Sequence, residues 1–453
     1  MALQESMATR TPRGKPVQPV KDTLQVPPWN RLSIVAFRFC FVYFALYSLA
    51  TPILGGLILF PNFSFPNLGT HWPLRQITFW VAAHLFGVTS PLVYAGNSGD
   101  TTFHWVQTFW LLILSVLAAA IWSWRERGQP HHIALHKWFR LFVRFGLAAQ
   151  MFYYGLAKVI PTQFPPPSLV TLVEPVGHLS RTDLLWTFIG ASTPYQVFTG
   201  GAEVLGGMLL VVPRTTMLGA LICLADMIQV FLLNMTYDFG LKLISFHLIL
   251  MSLILLAPDF QRLANTFVLD RAVGPSSHPP LFRTRRANRL ALALQILFAV
   301  YLMGMFTRLA VNYWFAEGGG GSPKSALYGI WDVEQLSIDG QLRSPLLNDY
   351  DRRWRRIIFD APNRIVFQRT DDSFAHYGAS IDLNGESIAL TKGNSRSWRA
   401  TFAFRRPAAG RLILDGDMDQ YRIHVELQLV EFDSFRLLNS GFRWIRPPDP
   451  YGG

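Results

Sequence analysis

The sequence is poor in charge and in cysteine. Only 15% of its 453 residues are charged, whereas a soluble domain usually carries about 25%, so part of the chain is expected to lie in a solvent other than water. The two cysteines, Cys40 and Cys223, both stand in apolar runs and form no CxxC or CxxCH pattern. This argues against thiol–disulfide chemistry, a c-type haem and an iron–sulfur cluster on this chain.

Several short motifs are missing as well. The sequence has no HExxH, Walker loop, GxSxG or GxGxxG followed by a helix. Zinc-protease, nucleotide-binding and serine-hydrolase chemistry therefore have no support. The first 30 residues are polar and lack the short apolar region of a signal peptide, so we expect a disordered cytoplasmic tail there.

Long apolar runs are what the sequence has instead. A helix that crosses a bilayer needs about 20 mainly apolar residues. Seven runs approach that length, from about Leu32 to Leu59, Phe103 to Trp124, Trp138 to Val159, Tyr195 to Val212, Thr215 to Asn234, Gly240 to Ala257 and Ala287 to Val311. A further stretch, Leu74 to Tyr94, is interrupted by Arg75, His84 and Pro91, and we expect it to be an interfacial or re-entrant helix.

The basic residues orient these spans. The net charge is +12, and cytoplasmic loops of membrane proteins are enriched in Lys and Arg. With the N-terminus inside, the basic loops fall on the cytoplasmic side: Arg125, Arg127, Lys137, Arg214, Arg262, Arg271, Arg283, Arg285, Arg286 and Arg289. An eighth span at residues 74–94 would reverse every later loop. The pattern predicts an integral membrane protein whose partner is the lipid bilayer and not nucleic acid.

The pattern changes after the last span. A Gly-rich stretch over residues 317–324 reads as a flexible linker. Beyond it, eight short segments alternate or cluster apolar residues: Tyr328–Leu336, Arg356–Phe359, Arg364–Arg369, Ser380–Leu383, Ser387–Thr391, Arg399–Phe404, Arg411–Asp415 and Tyr421–Val430. Eight strands of this length predict a small closed barrel or sandwich, placed outside the cytoplasm.

The predicted architecture is thus a polytopic α-helical membrane protein with a C-terminal all-β, barrel-like domain. Its parts are the tail (1–30), N-terminal spans with an interfacial helix (31–135), a helical bundle (136–270), a cytoplasmic loop with the last span (271–316), the linker (317–324) and an extracytoplasmic β-domain (325–453).

Polar side chains in the spans gather toward the outer side of the bundle. Such groups are costly in a bilayer and usually face the bundle interior. Those expected in the outer half are Asp100, His104, Lys158, Glu203, Asn234, Asp238, Lys242 and His247. This is the arrangement of a ligand or reaction site open to the outside. The alternative is that these residues cap helix ends and pair locally, as Asp238 and Lys242 can at a spacing of four.

Glu203 is the sharpest candidate among them. It stands in the run Thr199-Gly-Gly-Ala-Glu-Val-Leu-Gly-Gly207, whose small residues let a neighbouring helix approach closely. A carboxyl buried there must be paired or protonated, and Lys158 or Lys242 could neutralise it. Tyr154 lies one turn from Lys158 on the same helix face, which could line a polar cavity or simply pack.

Histidines allow one more interpretation. His104 and His247 could in principle hold a b-type haem between helices. They belong to different spans and lie at slightly different depths, so histidines satisfied within the core are favoured over haem ligands. No metal site is predicted.

Short motifs between residues 95 and 270 form a recognisable set: Gly99-Asp-Thr-Thr102, Tyr154-Gly-Leu-Ala-Lys158, Gln163-Phe-Pro-Pro166, Asn234-Met-Thr-Tyr-Asp238, Lys242-Leu-Ile-Ser-Phe-His247 and the glycine-rich run around Glu203. Together they resemble the DoxX family of bacterial membrane proteins. The resemblance implies a bacterial inner-membrane protein with a four-helix membrane bundle, here from Trp138 to Ala257. It also implies a quinone-linked redox role, because some members of that family are subunits of thiosulfate:quinone oxidoreductase or of membrane redox complexes.

The β-domain distantly resembles a lipocalin-type barrel. Gly329-Ile-Trp331 stands on its first strand, and Arg443 near its last strand could cap that Trp. A barrel mouth could hold a small apolar ligand, but a packed or partner-binding interior is favoured.

These observations lead to one functional hypothesis and one alternative. The first is a quinone-interacting oxidoreductase subunit, with quinone and protein subunits as possible partners. Its catalytic candidates are Glu203, Lys158 and His247, and its ligand-binding candidates are Lys242, Asp238, Asn234, Tyr154, Asp100 and His104. The alternative is a non-catalytic membrane scaffold or ligand-binding protein whose β-domain recognises an envelope partner or lipid.

Overall fold

The computed structural model describes residues 29–94, 99–128, 131–274, 279–316, 319–346, 349, 353–393, 395–439, 441 and 444–445. Nearly all of the tail predicted over residues 1–30 lies outside this part of the chain, and so does Arg443. The described residues form a helical bundle followed by a closed β-barrel.

Each of the seven predicted apolar runs contains a helix. The helices of the chain are α1 (Arg31–Ala50), α2 (Pro52–Gly55), α3 (Leu74–Leu85), α4 (Thr102–Arg125), α5 (Ile133–Val159), α6 (Leu169–Val173), α7 (Arg181–Gly190), α8 (Thr193–Val211), α9 (Thr216–Thr236), α10 (Lys242–Leu256), α11 (Phe260–Phe267), α12 (Arg285–Ala316) and α13 (Arg436–Asn439). The first run was expected to reach Leu59, but α1 ends at Ala50 because Thr51, which precedes Pro52, is extended. The chain then enters a small hairpin of β1 (Leu59–Phe60) and β2 (Phe63–Ser64).

Five segments of the described chain are long and apolar enough to cross a membrane. They are Arg31–Ala50, Thr102–Arg125, Thr216–Thr236, Lys242–Phe267 and Arg285–Ala316. Two predicted spans, α5 and α8, are not in this set; both carry buried charged side chains, and α5 is buried along most of its length. Helix α3 has 12 residues, about 18 Å at 1.5 Å per residue, which is short of a hydrocarbon core of about 30 Å.

Glycines bring α5 and α8 into backbone contact. A Cβ added to Gly200 would lie 2.5 Å from the carbonyl oxygen of Gly155 and 2.6 Å from Cβ of Lys158. About two turns further along α8, a Cβ on Gly207 would lie 2.7 Å from the ring of Phe152. The prediction that the small residues around Glu203 admit a neighbouring helix is therefore confirmed.

The loops gather at two ends of the bundle. At one end, the Lys137 ammonium donates to the carbonyl of Pro280 (2.7 Å), and the segment before α12 lies against the start of α5. At the other end, the Thr182 hydroxyl donates to the carbonyl of Tyr237 (3.0 Å), and Asp100 contacts the start of α10. The loops that the sequence analysis placed on the basic side of the spans lie at the first end, and the loops placed on the opposite side lie at the second.

Nine strands are described in the C-terminal domain, and eight of them close a barrel. The strands are β3 (Gly329–Ile338), β4 (Gln341–Leu342), β5 (Trp354–Phe359), β6 (Arg364–Arg369), β7 (Phe374–Asp382), β8 (Ser387–Lys392), β9 (Ser395–Ala408), β10 (Arg411–Met418) and β11 (Tyr421–Leu429). Apart from the two-residue β4, each pairs antiparallel with the next, and β11 returns to β3, with Ile423 opposite Ile338. Closure leaves these eight strands without a free edge.

Aromatic and aliphatic side chains pack inside the barrel. Along β11, buried Ile423, Val425 and Leu427 alternate with more exposed polar residues, the period of two expected of a strand with one buried face. Trp331 is fully buried, and its indole N–H donates to the carbonyl of Leu327 (3.0 Å). The guanidinium that lies over its ring, 5.9 Å from the centroid, belongs to Arg406 on β9.

The loop between α5 and α7 is docked on the barrel. Leu169 of α6 is buried against Ile330, Ile358 and Val366 on the outer wall of β3, β5 and β6. The Gln368 amide donates to the carbonyl at the end of α6 (3.3 Å). Bundle and barrel thus touch through a loop far in sequence from the chain connection between them.

The predicted Gly-rich linker is packed where the structure describes it. An added Cβ on Gly319 would lie 2.5 Å from Cα of Trp314, and one on Gly321 would lie 2.7 Å from its indole nitrogen. These glycines are held against the end of α12, so composition alone overstated the freedom of this stretch.

Candidate functional site

A buried ion pair lies at the crossing of α5 and α8. The Lys158 ammonium is 2.7 Å from both carboxylate oxygens of Glu203. The two side chains are only 8% and 3% exposed. Of the two lysines that could neutralise Glu203, the structure selects Lys158, because the glycine contact brings these two helices together.

The pair faces a cavity of about 380 Å³. Its walls come from α5, α7, α8, α9, α10 and the loop after α5, and its lining is mainly apolar. The polar lining side chains are Tyr154, Lys158, Gln163, Trp186, Tyr195, Thr199, Glu203, Asp226, Gln229, Asn234 and Ser245. The lining residues Phe198, Ala225 and Gln229 are exposed, so the cavity reaches the surface between α8 and α9.

Three polar atoms on this cavity have no hydrogen-bond partner in the described part of the chain. They are the carboxylate Oδ2 of Asp226, the amide Oε1 of Gln163 and the indole Nε1 of Trp186, and all three are buried. Buried polar atoms are paired in the great majority of cases, and leaving one unpaired costs about 1–3 kcal/mol. The lining residues thus include two buried acceptors and one buried donor without partners among the described residues.

The loop after α5, which forms one wall of the cavity, is fixed by contacts with α7 and α8. Phe164 of this loop lines the cavity. The buried Gln196 side chain accepts a hydrogen bond from the backbone N–H of Phe164 (3.1 Å) and donates one to its carbonyl (3.0 Å). Gly190 packs against the carbonyl of Pro165. These contacts fold the segment after α5 back over the bundle.

Asn234 lines the cavity at the end of α9. Its amide nitrogen donates to the carbonyl of Leu241 and to the hydroxyl of Ser245, each at 3.2 Å. It ties the end of α9 to the start of α10, and so fixes this end of the cavity wall.

His247 does not line the cavity. Its ring stacks on Tyr47 (centroids 3.6 Å apart), its Nε2 lies 2.7 Å from the Tyr43 hydroxyl, and its Nδ1 lies 2.6 Å from the carbonyl of Leu243. Both ring nitrogens therefore have hydrogen-bond partners within the described chain. The expected convergence of His247 with Glu203 is wrong, because α10 turns this residue toward α1.

Asp100, Asp238 and Lys242 form a separate group. The Asp100 carboxylate accepts from the backbone N–H of Lys242 (2.6 Å) and Leu243 (2.9 Å), which caps the start of α10. The Lys242 ammonium lies 2.9 Å from Asp238 and 4.0 Å from Asp100. Its hydrogen bond and charge lower the pKa of Asp238 below the usual range. These three residues therefore cap a helix and pair locally, which was the alternative to a ligand site.

His104 is also remote from the cavity lining. Its Nδ1 lies 2.7 Å from the Thr101 hydroxyl at the start of α4. Among the described residues there is no group of three His, Cys, Asp or Glu side chains able to hold a metal ion.

Sequence reasoning missed three residues of the site. Asp226 was visible as a rare acid near the middle of an apolar run, and its depth alone was a usable signal. Gln163 and Trp186 lie in and after the loop that folds back, and no periodicity places such residues beside the bundle. Of the predicted site, the cavity brings together Tyr154, Lys158, Glu203 and Asn234.

Comparison with known proteins gives one curated relative. Over 129 residues the chain is 38% identical to the uncharacterized protein YwoB of Bacillus subtilis (strain 168), and the aligned part is 28% of this chain and 79% of that protein. No family model matches the chain, and no solved structure matches it. The chain belongs to the same family as YwoB.

Proposed function

We propose that the protein is an integral membrane protein with seven spans, a cytoplasmic N-terminus and an external barrel. Helices α4 and α12 present apolar side chains to the surface along their length, including Leu112, Leu117, Ile296 and Val300. Helices that are apolar on the outside of a bundle are expected in lipid. The separation of basic loops at one end and the barrel at the other supports the orientation.

We further propose that the cavity beside Lys158 and Glu203 binds a lipophilic molecule with a polar head, of the quinone class. Ligand cavities of about 300–1,000 Å³ are typically apolar with a few placed polar groups. The observation that carries the proposal is that Asp226, Gln163 and Trp186 line one mainly apolar space, and each has a buried polar atom without a partner among the described residues. A quinone offers two carbonyl oxygens as acceptors and, when reduced, two hydroxyl donors.

The position of the opening favours a ligand that arrives from lipid. It lies between α8 and α9, and its rim includes Phe198, which is 73% exposed. In the proposed placement this rim faces the bilayer, where a lipophilic molecule is dissolved. A water-soluble substrate would have no route along this side.

The protonatable groups on the cavity give the proposal its chemistry. Reduction of a quinone to a quinol takes up two electrons and two protons. Asp226 and the Lys158–Glu203 pair are positioned to hold and pass protons at the ligand, with Tyr154 beside them. The sequence carries no electron-carrier motif, so the electrons come from a separate redox subunit. This is the role that the DoxX resemblance implies, and it stays a prediction.

Identification of the co-purified ligand tests the proposal. The full-length protein is purified in mild detergent, and its organic extract is analysed by mass spectrometry. Ala202 lines the cavity, so Ala202→Phe fills it, whereas Leu205, which is 45% exposed on the same helix, gives the matched control Leu205→Phe.

We expect near-stoichiometric quinone with the unaltered protein and with Leu205→Phe, and at least tenfold less with Ala202→Phe. Absence of quinone from the unaltered protein, or equal retention by both variants, contradicts the proposal. A bound quinone whose redox state does not change with any added donor would favour the non-catalytic, ligand-binding alternative. That alternative is supported by the mutual neutralisation of Lys158 and Glu203, which is complete without a ligand.

A further inference from the structure

A second cavity, of about 810 Å³, lies at the other end of the bundle. It is enclosed by the first turns of α5, the turn between α8 and α9, the segment before α12, and α12 itself. Arg144 and Lys158 are 14 residues apart on α5, about 21 Å at 1.5 Å per residue, so this space is distinct from the cavity at Glu203.

The lining of this second cavity is strongly basic. Lys137, Arg140, Arg144, Arg214 and Arg289 contribute five cationic side chains, and none of the lining residues is acidic. Such a concentration of one sign of charge in a recess attracts an anion.

Two of these cations are held in place by neutral groups. The Arg144 guanidinium is buried and donates to the carbonyls of Leu210 (2.8 Å) and Val211 (2.7 Å) and to the side-chain oxygen of Gln295 (2.7 Å). The Lys137 ammonium donates to a backbone carbonyl. Carbonyl and amide partners orient these charges without cancelling them. Asp259, an acidic residue next to the lining, lies 3.7 Å from Arg140 and neutralises part of the charge of that arginine.

An apolar groove of about 540 Å³ continues from the basic cavity. The two spaces share Leu141, Leu281, Ala291 and Gln295. Beyond the shared residues the groove is lined by aromatic and aliphatic side chains of α5 and α12: Trp138, Phe142, Phe145, Ala287, Leu290, Leu294 and Phe298, together with Leu57 and Phe282. Leu290 and Leu294 are 62% and 57% exposed, so the groove opens on the side of the bundle.

We infer that the basic cavity binds the headgroup of an acidic phospholipid while the groove holds one of its acyl chains. Basic pockets between membrane helices on the cytoplasmic side commonly hold such headgroups. A free phosphate would use the cavity alone, whereas the continuous apolar groove fits a ligand that joins an anion to a hydrocarbon chain. The inference rests on the proposed membrane placement and is independent of the quinone cavity.

Charge-matched variants of the full-length protein test this site. Arg214 and Arg289 line the cavity and are exposed, while Arg283 and Arg286 are exposed in the same segment of the chain and do not line it. The cavity double variant combines Arg214→Gln and Arg289→Gln. The control double variant combines Arg283→Gln and Arg286→Gln, and both variants lose the same charge. Native mass spectrometry of detergent-released protein then counts bound phosphatidylglycerol, phosphatidylcholine with the same acyl chains, and glycerol phosphate.

We expect phosphatidylglycerol to bind, and the cavity double variant to weaken it about 25-fold, since each basic residue near an anionic lipid contributes about fivefold. The control pair should weaken binding less than fivefold. Equal losses in the two pairs, equal binding of phosphatidylcholine, or glycerol phosphate binding as tightly as the lipid would each overturn the inference. Loss of quinone retention alone would leave it intact, because the two ligands are counted separately.

Discussion

Separating Lys158 from Glu203 should destabilise the bundle strongly. The ammonium lies 2.7 Å from both carboxylate oxygens, and both side chains are almost fully buried. Lys158→Met leaves the carboxylate without its partner, and Glu203→Leu leaves the ammonium without its partner. A buried charge that loses its partner costs about 3–5 kcal/mol.

Removing both charges together should cost far less. An apolar pair of similar volume is often neutral or stabilising relative to a buried ion pair. The double variant Lys158→Met with Glu203→Leu is therefore expected to be about 2–4 kcal/mol more stable than either single variant. This non-additivity is the signature of a pair that interacts directly.

These differences can be measured by unfolding the full-length protein in mixed micelles. A denaturing detergent is titrated in, and unfolding is followed by tryptophan fluorescence. Asp238→Asn is the control, because that carboxylate pairs with Lys242 at an exposed turn and surface pairs contribute little. Single variants that unfold like the unaltered protein, or a double variant whose loss equals the sum of the two single losses, would refute the reasoning.

Two other predictions concern the helix crossing and the barrel. Gly200→Ala should destabilise the bundle by about 1–3 kcal/mol through overpacking, and Gly201→Ala, whose Cβ meets nothing within 4 Å, should not; the same unfolding assay compares them. In the barrel, burial raises the pKa of Asp415, but hydrogen bonds from His424 (2.6 Å) and a neighbouring arginine outweigh it and lower that pKa overall. Because the pKa of Asp415 is lower in the folded state than in the unfolded state, its carboxylate stabilises the barrel above about pH 4. This stabilisation is lost as the pH falls through the folded-state pKa. Hydrogen exchange of β10 and β11, corrected for the intrinsic rate, should therefore depend less on pH in Asp415→Asn, whereas Asp417→Asn should leave that dependence unchanged.

Hydropathy predicted much of the architecture. The apolar runs located seven helices, and α4 was expected from Phe103 to Trp124 and observed from Thr102 to Arg125. The period-two segments gave the right number of barrel strands. Strand β7 was expected only from Ser380, because its first half, from Phe374 to Gly378, is partly exposed and does not alternate cleanly.

The site was harder to predict because a sequence gives depth along a helix more readily than direction around it. Glu203 and His247 were both placed in the outer half of the bundle. The glycine face of α8 turns Glu203 toward α5, a direction that the sequence carried in its small residues. His247 instead faces the tyrosines of α1, and that choice depends on which helices become neighbours.

The docking of α6 on the barrel has a mechanical consequence. A domain joined to a bundle at one point can pivot about it, whereas one held also through Leu169 and Gln368 cannot move without pulling the loop between α5 and α7. That loop carries Phe164, a wall of the cavity. Any protein that binds the barrel and shifts it would therefore exert force on the cavity through this loop.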